Sequence, residues 1–390
     1  MKCSKSISAA LLISGTAIGA GMLALPVVTG VAGFLPASLV FLICYLFSVA
    51  TGLLLFEVCL YMPNDSNLVS MAGHLMGPLG RAGAWVLYLF LFYCLNVAYV
   101  TGGGNFVARL LTCPIPIGIL LFTLCFGTFV FMGTRVVARV NWILMVGLGL
   151  SFFAFIAVGI GAVQIDLLKT VNWAPALFAI PVIFTSFSYQ GIIPSLSEYL
   201  DRDPKKMRFA ILVGTAIPFV AYLLWEGLIL GLVPVDLLVQ AKAAGQTDAA
   251  SLNYLFPHSP IYLISQVFGI FALTTSFLGV TLGLLDFLAD GLRVKKVGMS
   301  RLFLCAVIYL PPIAVASLNP TIFFRALGFA GGIGCALLLG FYPALMAYYG
   351  RYRKGYAQKH IQLPGGKGVL YFLMICVAVE LVIEVIAEAF

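Results

Sequence analysis

The chain has 390 residues, of which 62% are hydrophobic and 9% charged, with a formal net charge of +8. Soluble domains are ~45–50% apolar and ~25% charged, so a soluble globular protein is excluded. Apolar runs of the ~20 residues needed to cross ~30 Å of hydrocarbon follow one another along the chain and leave no room for a separate soluble domain.

In chain order the predicted spans are 7–31, 35–61, 82–111, 115–133, 141–162, 175–199, 208–233, 260–289, 301–318, 327–349 and 369–388, eleven in all. The first carries Lys2 and Lys5 ahead of its apolar stretch. It is read as a retained helix, because it is too long and Gly-rich for a signal peptide and leads straight into the second. The third holds Gly102, Gly103 and Gly104, read as a close-packing face, and Tyr93, Asn96 and Tyr99, whose polar tips need partners. The seventh carries Glu226, the eighth Thr274, Thr275 and Ser276. The start of the tenth is interrupted by Arg325 and the Gly331-Gly332 pair, and the eleventh carries Glu380 and Glu384 one turn apart.

With a cytoplasmic N-terminus, only Arg109, Lys169, Lys242 and Arg325 of the 22 Lys and Arg residues fall outside, and the remaining eighteen fall inside. That is the asymmetry the positive-inside rule demands, and moving the helix count by one destroys it. Topology and anionic headgroups account for the net charge, which leaves membrane lipid as a partner and no reason for nucleic acid. The nine cysteines are scattered without metal or redox spacing and are read as structural; no cofactor is expected.

Two spans are interrupted at mid-membrane depth. The first reads Ser14-Gly15-Thr16-Ala17-Ile18-Gly19-Ala20-Gly21, followed by Pro26. The sixth reads Thr185-Ser186-Phe187-Ser188-Tyr189-Gln190-Gly191, followed by Pro194. They hold corresponding places in two halves of five spans, and an odd number of spans inverts the second half. Such paired interruptions are the best sequence pointer to a transporter site. A broken helix offers amides at the start of its second half and carbonyls at the end of its first. The amides suit a carboxylate and the carbonyls an ammonium, so the pair can hold a zwitterionic amino acid with no charged side chain.

The stretches GTAIGAGMLALP (15–26), SFSYQGIIPSL (186–196), DPK (203–205), SFLGVTLGLLDFLAD (276–290) and LPGGK (363–367) resemble the hydroxy and aromatic amino acid permeases, within the amino acid, polyamine and organocation transporters. The resemblance runs nearly end to end and is nearest to the tyrosine-specific branch. It implies an all-α membrane protein with the five-plus-five inverted repeat of the leucine transporter. The first repeat is 1–162, the second 175–349, helices 1 and 6 are discontinuous, and 369–388 is an eleventh helix. It further implies alternating access, import of tyrosine, or else tryptophan or a serine-type substrate, coupled to protons or sodium, and a monomer. The expected place is a bacterial inner membrane, with the N-terminus cytoplasmic and the C-terminus periplasmic.

Carried over residue by residue, the resemblance places the amides of Gly19, Ala20 and Gly21 on the substrate carboxylate, with Thr16 and Ala17 nearby. Ser186 and Phe187 supply carbonyls to the ammonium, and Tyr189 and Gln190 lie at the second break. Gln190 stands where relatives carry histidine, and Leu148 where relatives carry a mid-span lysine. Asn96 and Tyr99 either contact substrate or bond between helices. For the coupling ion, Thr275 and Ser276 with Ala17 form one candidate oxygen site for sodium, and Glu226 is the candidate proton carrier; hydroxyls bonded to their own helix and a structural carboxyl are the alternatives. An enzyme would need a nucleophile and base or a metal set, yet His74, His258 and His360 lie in loops or at helix ends. A channel would show a charge ring or a repeated filter, and neither is present.

Overall fold

The structure, a computed structural model, describes residues 5–63, 66–247, 252, 255, 256, 259–356 and 360–389, the side chains of 388 and 389 aside. Among the described residues every regular element is helical. These are α1 (Lys5–Ala17), α2 (Ala20–Thr29), α3 (Phe34–Tyr61), α4 (Leu68–Leu111), α5 (Ile115–Met132), α6 (Thr134–Gly159), α7 (Trp173–Leu177), α8 (Ile180–Ser186), α9 (Ile193–Tyr199), α10 (Pro204–Leu232) and α11 (Val235–Ala243). They continue with α12 (Pro260–Leu292), α13 (Gly298–Leu318), α14 (Phe323–Phe329), a π-helical segment (Ala330–Phe341), α15 (Tyr342–Tyr348) and α16 (Gly366–Ala389).

Among the described residues nine helices are long and apolar enough to cross a membrane, and α1 and α2 form one further span bent by 54°. The expected eleven are reached only by counting the stretch 173–199 as a span, although it is divided into α7, α8, a 3-10 turn and α9. The third span is longer than its apolar pattern predicts. α4 starts at Leu68, capped by Asn67 accepting from the Ser70 amide, and bends at Gly77 (φ 79°) just before Pro78. The tenth runs from Phe323 to Arg353 rather than 327–349. Glycines at 331, 332, 334 and 340 weaken its α-hydrogen bonding, and it adopts π geometry from Ala330 to Phe341.

Loop contacts sort into two ends. At one, the Asn172 amide donates to the Ala32 carbonyl (2.9 Å), Gln164 to Gly231 (2.8 Å) and the Asn105 side chain to Pro320 (3.0 Å). At the other, Arg202 donates to the Met62 carbonyl (2.7 Å), Arg208 to Gln362 (2.9 Å) and Arg301 to the Val130 carbonyl (2.8 Å). This second end carries the basic residues. There Lys5 bridges Asp201 at 2.9 Å, joining α1 to the loop before α10. The Lys5 ammonium, by its hydrogen bond first and its charge second, holds the Asp201 carboxyl below the usual range, so the pair is kept above that range and lost as pH falls through it.

The same end has a buried ion pair. Glu57 is fully buried and receives Arg351 Nε (2.6 Å) and Nη2 (2.7 Å), the Tyr61 hydroxyl (2.5 Å) and the Gln362 amide (2.8 Å). It ties the ends of α3 and the tenth span to the chain entering α16. Arg351→Lys keeps the charge but loses the planar two-nitrogen grip, so thermal unfolding in detergent is expected to shift down by a few degrees, on the order of 1–2 kcal/mol. An unchanged midpoint would show that the fork geometry contributes nothing.

Candidate functional site

The break in the first span falls at Ile18-Gly19, between Ala17, which ends α1, and Ala20, which starts α2. The break in the sixth span lies between Ser186, which ends α8, and the 3-10 turn Gln190–Ile192. The two breaks touch. A Cβ on Gly21 would lie 2.6 Å from Ser186 Oγ and 3.2 Å from Ser186 Cα, and one on Gly19 would lie 2.3 Å from Ser276 Oγ. Glycine is therefore required at both positions for space.

The first amide of α2, on Ala20, donates to Ser276 Oγ at 3.0 Å, so α12 caps the positive end of the second half-helix. The carbonyls at the ends of α1 and α8 converge on one group the sequence reading missed. Tyr222 Oη on α10 lies 2.7 Å from both the Ala17 and the Ser186 carbonyl oxygens, and its single proton serves one of them at a time. Its ring is fully buried and packs edge-on to Phe187 at 5.0 Å. Tyr99 from α4 reaches Ser276.

The predicted site residues divide. Ala17, Gly19, Ala20, Gly21, Ser186, Phe187, Tyr99 and Ser276 are brought together around the two breaks. The Phe187 carbonyl, expected on the ammonium, already receives the Ser48 hydroxyl at 2.9 Å. Tyr189 and Gln190 are turned into α3 rather than toward the first break. Tyr189 Oη donates to the Ser48 carbonyl (3.1 Å), and Gln190 Nε2 to Ser48 and Thr51 (3.2 and 3.0 Å), while Gln190 Oε1 accepts from the Tyr189 amide (2.9 Å). They anchor the sixth-span break to its neighbour. Asn96 joins α4 to α12, accepting from Thr281 at 2.7 Å, the helix-to-helix alternative of the sequence reading. Thr16 is exposed and its hydroxyl donates to Leu12 (2.8 Å), one turn back on its own helix, so it adds no side chain to the breaks.

The oxygens proposed for sodium already take part in hydrogen bonds. Thr275 donates to Phe271 and Ala272 of its own helix (2.9 and 3.1 Å), Ser276 accepts from Ala20, and the Ala17 carbonyl lies against Tyr222. Successive positions 274, 275 and 276 point ~100° apart around a helix, so the three do not lie on one face. Glu226 is fully buried on α10 and shares a short hydrogen bond with Thr29, whose oxygen also lies 2.7 Å from the Leu25 carbonyl. Residues 214, 222 and 226 of α10 follow helix 1 along its length: Gly214 meets Ala10 and Ile13, Tyr222 meets Ala17, and Glu226 meets Thr29. That four-residue spacing on one helix face was the available signal for Tyr222.

The paired breaks, their facing amide and carbonyl ends and the absence of charged side chains there among the described residues define a membrane transporter site. The sequence profile of the tryptophan/tyrosine permease family matches residues 2–384, and the chain belongs to that family. It is 31% identical over 381 residues to tyrosine-specific transport system 1 of Haemophilus influenzae, covering 95% of this chain and 94% of that one. It is also 31% identical over 364 residues to a tryptophan-specific transport protein of Pseudomonas aeruginosa, covering 90% and 87%. The crystal structure of MhsT in complex with L-phenylalanine superimposes with a TM-score of 0.66 at 15% identity, covering 98% of both chains. The fold is therefore that of the leucine-transporter type, and the protein is a transporter and not an enzyme.

Proposed function

We propose that this chain imports an aromatic amino acid, tyrosine first, by cation-coupled symport with alternating access, as a monomer in a bacterial inner membrane. The observation that carries the reading is the meeting of the two breaks. The amide end of α2 and the carbonyl ends of α1 and α8 lie within reach of one small molecule, with no ionised side chain between them. The α2 amides take the carboxylate, and the Ala17 and Ser186 carbonyls take the ammonium that Tyr222 Oη mimics in the substrate-free protein. Phe187, Tyr222 and Tyr99 supply aromatic walls. A phenol carried into this site must find a donor and an acceptor, and the hydroxyls of Tyr99 and Ser276 offer both, which favours tyrosine over tryptophan. The N-terminus and the basic loop end face the cytoplasm, and α16 ends outside.

For the coupling ion, proton is favoured over sodium, because Glu226 is a fully buried carboxyl within the seventh span. If Thr29 donates to Leu25, Glu226 must carry the proton it shares with Thr29. If Glu226 is ionised, Thr29 turns its proton to it. One hydroxyl thus serves both protonation states.

Uptake of labelled tyrosine into proteoliposomes, under imposed proton or sodium gradients with unlabelled tryptophan and serine as competitors, tests these statements together. Proton-driven, tyrosine-competed uptake that Glu226→Gln uncouples is expected. Sodium-driven uptake indifferent to Glu226→Gln removes the proton assignment, and uptake of no aromatic amino acid under either gradient removes the substrate assignment.

A further inference from the structure

The basic end of the molecule holds a cleft that transport through the two breaks does not use. It is made by the bend of α4 at Gly77. In a straight helix residues 73 and 81 would stand ~12 Å apart along the axis, at 1.5 Å per residue. Here a Cβ on Gly73 would lie 3.3 Å from both Cβ and Cδ of Arg81, and one on Gly80 would lie 2.5 Å from Met76 Cβ. The short stretch from Leu68 is thus folded against the start of the long one. Between them opens a cleft of about 380 Å³ lined by Ser70, Gly73, His74, Gly77, Pro78 and Arg81.

The lining is basic and holds no carboxylate among the described residues. Arg81 is exposed, and its stem crosses Gly73. His74 is held through Nε2, 2.9 Å from Tyr356 Oη. When Tyr356 donates to Nε2, the proton of the neutral ring sits on Nδ1 and can be given to a ligand; an imidazolium donates from both nitrogens. The Ser70 hydroxyl donates to the Asn67 carbonyl (2.8 Å) and accepts from the Asn67 amide (3.0 Å), so it bounds the cleft rather than gripping what enters. A guanidinium beside an imidazole calls for an anion, and the planar fork of arginine matches the oxygens of a phosphate.

The rim of the cleft is apolar. Leu79 is 87% exposed, and Val86, seven residues on and therefore on the same helix face, is 60% exposed. These side chains lead from the cleft along the spanning part of α4, so the cleft lies where hydrocarbon gives way to the polar boundary. A soluble phosphate gains nothing from Leu79 and Val86. A phosphate that carries acyl chains satisfies both parts.

We propose that this cleft is a binding site for the phosphate headgroup of an anionic phospholipid, with Arg81 and His74 holding the phosphate and Leu79 and Val86 receiving the chains. Its walls are joined to the ends of two other spans. Tyr356 stacks on Tyr61 with ring centroids 5.1 Å apart, Tyr61 donates to Glu57 at 2.5 Å, and Tyr342 on α15 donates to the Gly80 carbonyl at 3.2 Å. A bound headgroup therefore braces the bend of α4 against the Glu57–Arg351 pair, and ligand that binds only the folded state stabilises it.

The test uses the full-length protein in dodecyl maltoside, with phosphatidylglycerol, phosphatidylcholine or inorganic phosphate added in turn. Phosphatidylglycerol is expected to raise the thermal unfolding midpoint by several degrees, with little effect from the other two at the same concentration. Arg81→Gln should weaken phosphatidylglycerol binding by roughly tenfold or more, the scale of a charge-assisted pair. Arg139→Gln removes the same charge from an exposed position on α6 outside the cleft and should leave binding intact, which separates the site from general attraction to the basic end. Native mass spectrometry supplies a readout independent of stability: Arg81→Gln should lose one tightly retained phosphatidylglycerol that wild type and Arg139→Gln keep. Equal retention, or equal loss, in the two variants overturns the site. An equal midpoint rise from inorganic phosphate and phosphatidylglycerol, abolished in Arg81→Gln, overturns the lipid as its occupant.

Discussion

Gly19→Ala is expected to lower tyrosine uptake by at least ~100-fold, the scale on which an ångström of misplacement registers in a preorganised site. The added methyl would lie 2.3 Å from Ser276 Oγ and 3.7 Å from Ser276 Cβ, so nearly the whole conflict is with one hydroxyl. That hydroxyl also accepts the Ala20 amide and cannot simply swing away without leaving a helix N-terminus uncapped. The double variant Gly19→Ala with Ser276→Ala removes the clash and leaves an ordinary contact, so uptake should recover well above the single variant, short of wild type because the Ala20 amide has lost its acceptor. Gly21→Ala provides the contrast. Its methyl would meet Ser186 Cα at 3.2 Å as well as Oγ at 2.6 Å, so Ser186→Ala should rescue it poorly. The measurement is initial-rate uptake normalised to protein folded in the liposome. Equal rescue of the two glycine variants, or none of either, would show that the contact between α12 and the first break does not govern transport.

What was legible in the sequence was whatever depends on neighbours along the chain. The breaks at Gly19 and at Phe187-Ser188 announce themselves, because glycine, serine and threonine cluster where a spanning helix needs apolar residues. The two ends of the molecule were legible through the Lys and Arg count, since loop contacts such as Arg202 to Met62 and Asn172 to Ala32 group the loops as the alternation requires. Side-chain direction was hidden. Gln190 and Tyr189 sit one residue from the break in sequence, yet a single turn of 3-10 helix aims both at Ser48 and Thr51 on α3. Asn96 and Tyr99 share one face of α4, but Asn96 meets α12 at Thr281 while Tyr99 reaches Ser276 and the centre. Tyr222 was passed over because the four-residue spacing it shares with Gly214 and Glu226 on α10 does not say which helix that face meets. Its role exists only because α10 runs beside helix 1 and brings a phenol to two carbonyls 36 and 205 residues away. The packing of Glu384 was hidden for the same reason: the glycines it lies against, Gly328 and Gly332, belong to another span.

Tyr222→Phe separates two roles that the phenol could have. If Tyr222 Oη is a stand-in for the substrate ammonium, its removal harms the empty protein and spares the loaded one. In the empty variant the carbonyls of Ala17 and Ser186 lose their shared donor in a buried place, a loss of ~1–3 kcal/mol. In the loaded variant the ammonium satisfies both, so the difference appears as tighter binding, ~5-fold to ~140-fold in Kd at 1.4 kcal/mol per tenfold. Thermal unfolding should then fall by several degrees without tyrosine and return near the wild-type midpoint when tyrosine saturates. Uptake should slow by about tenfold, because affinity gained in the bound ground state retards release. If instead the hydroxyl stays on the carbonyls and itself touches the substrate, the variant binds tyrosine more weakly than wild type and its unfolding deficit persists at saturation. The two outcomes have opposite signs in one titration. The first makes Tyr222 the internal competitor that every substrate must displace, which sets a threshold: a molecule lacking an ammonium has nothing to offer the two carbonyls in exchange for the phenol, and it should neither bind nor be carried.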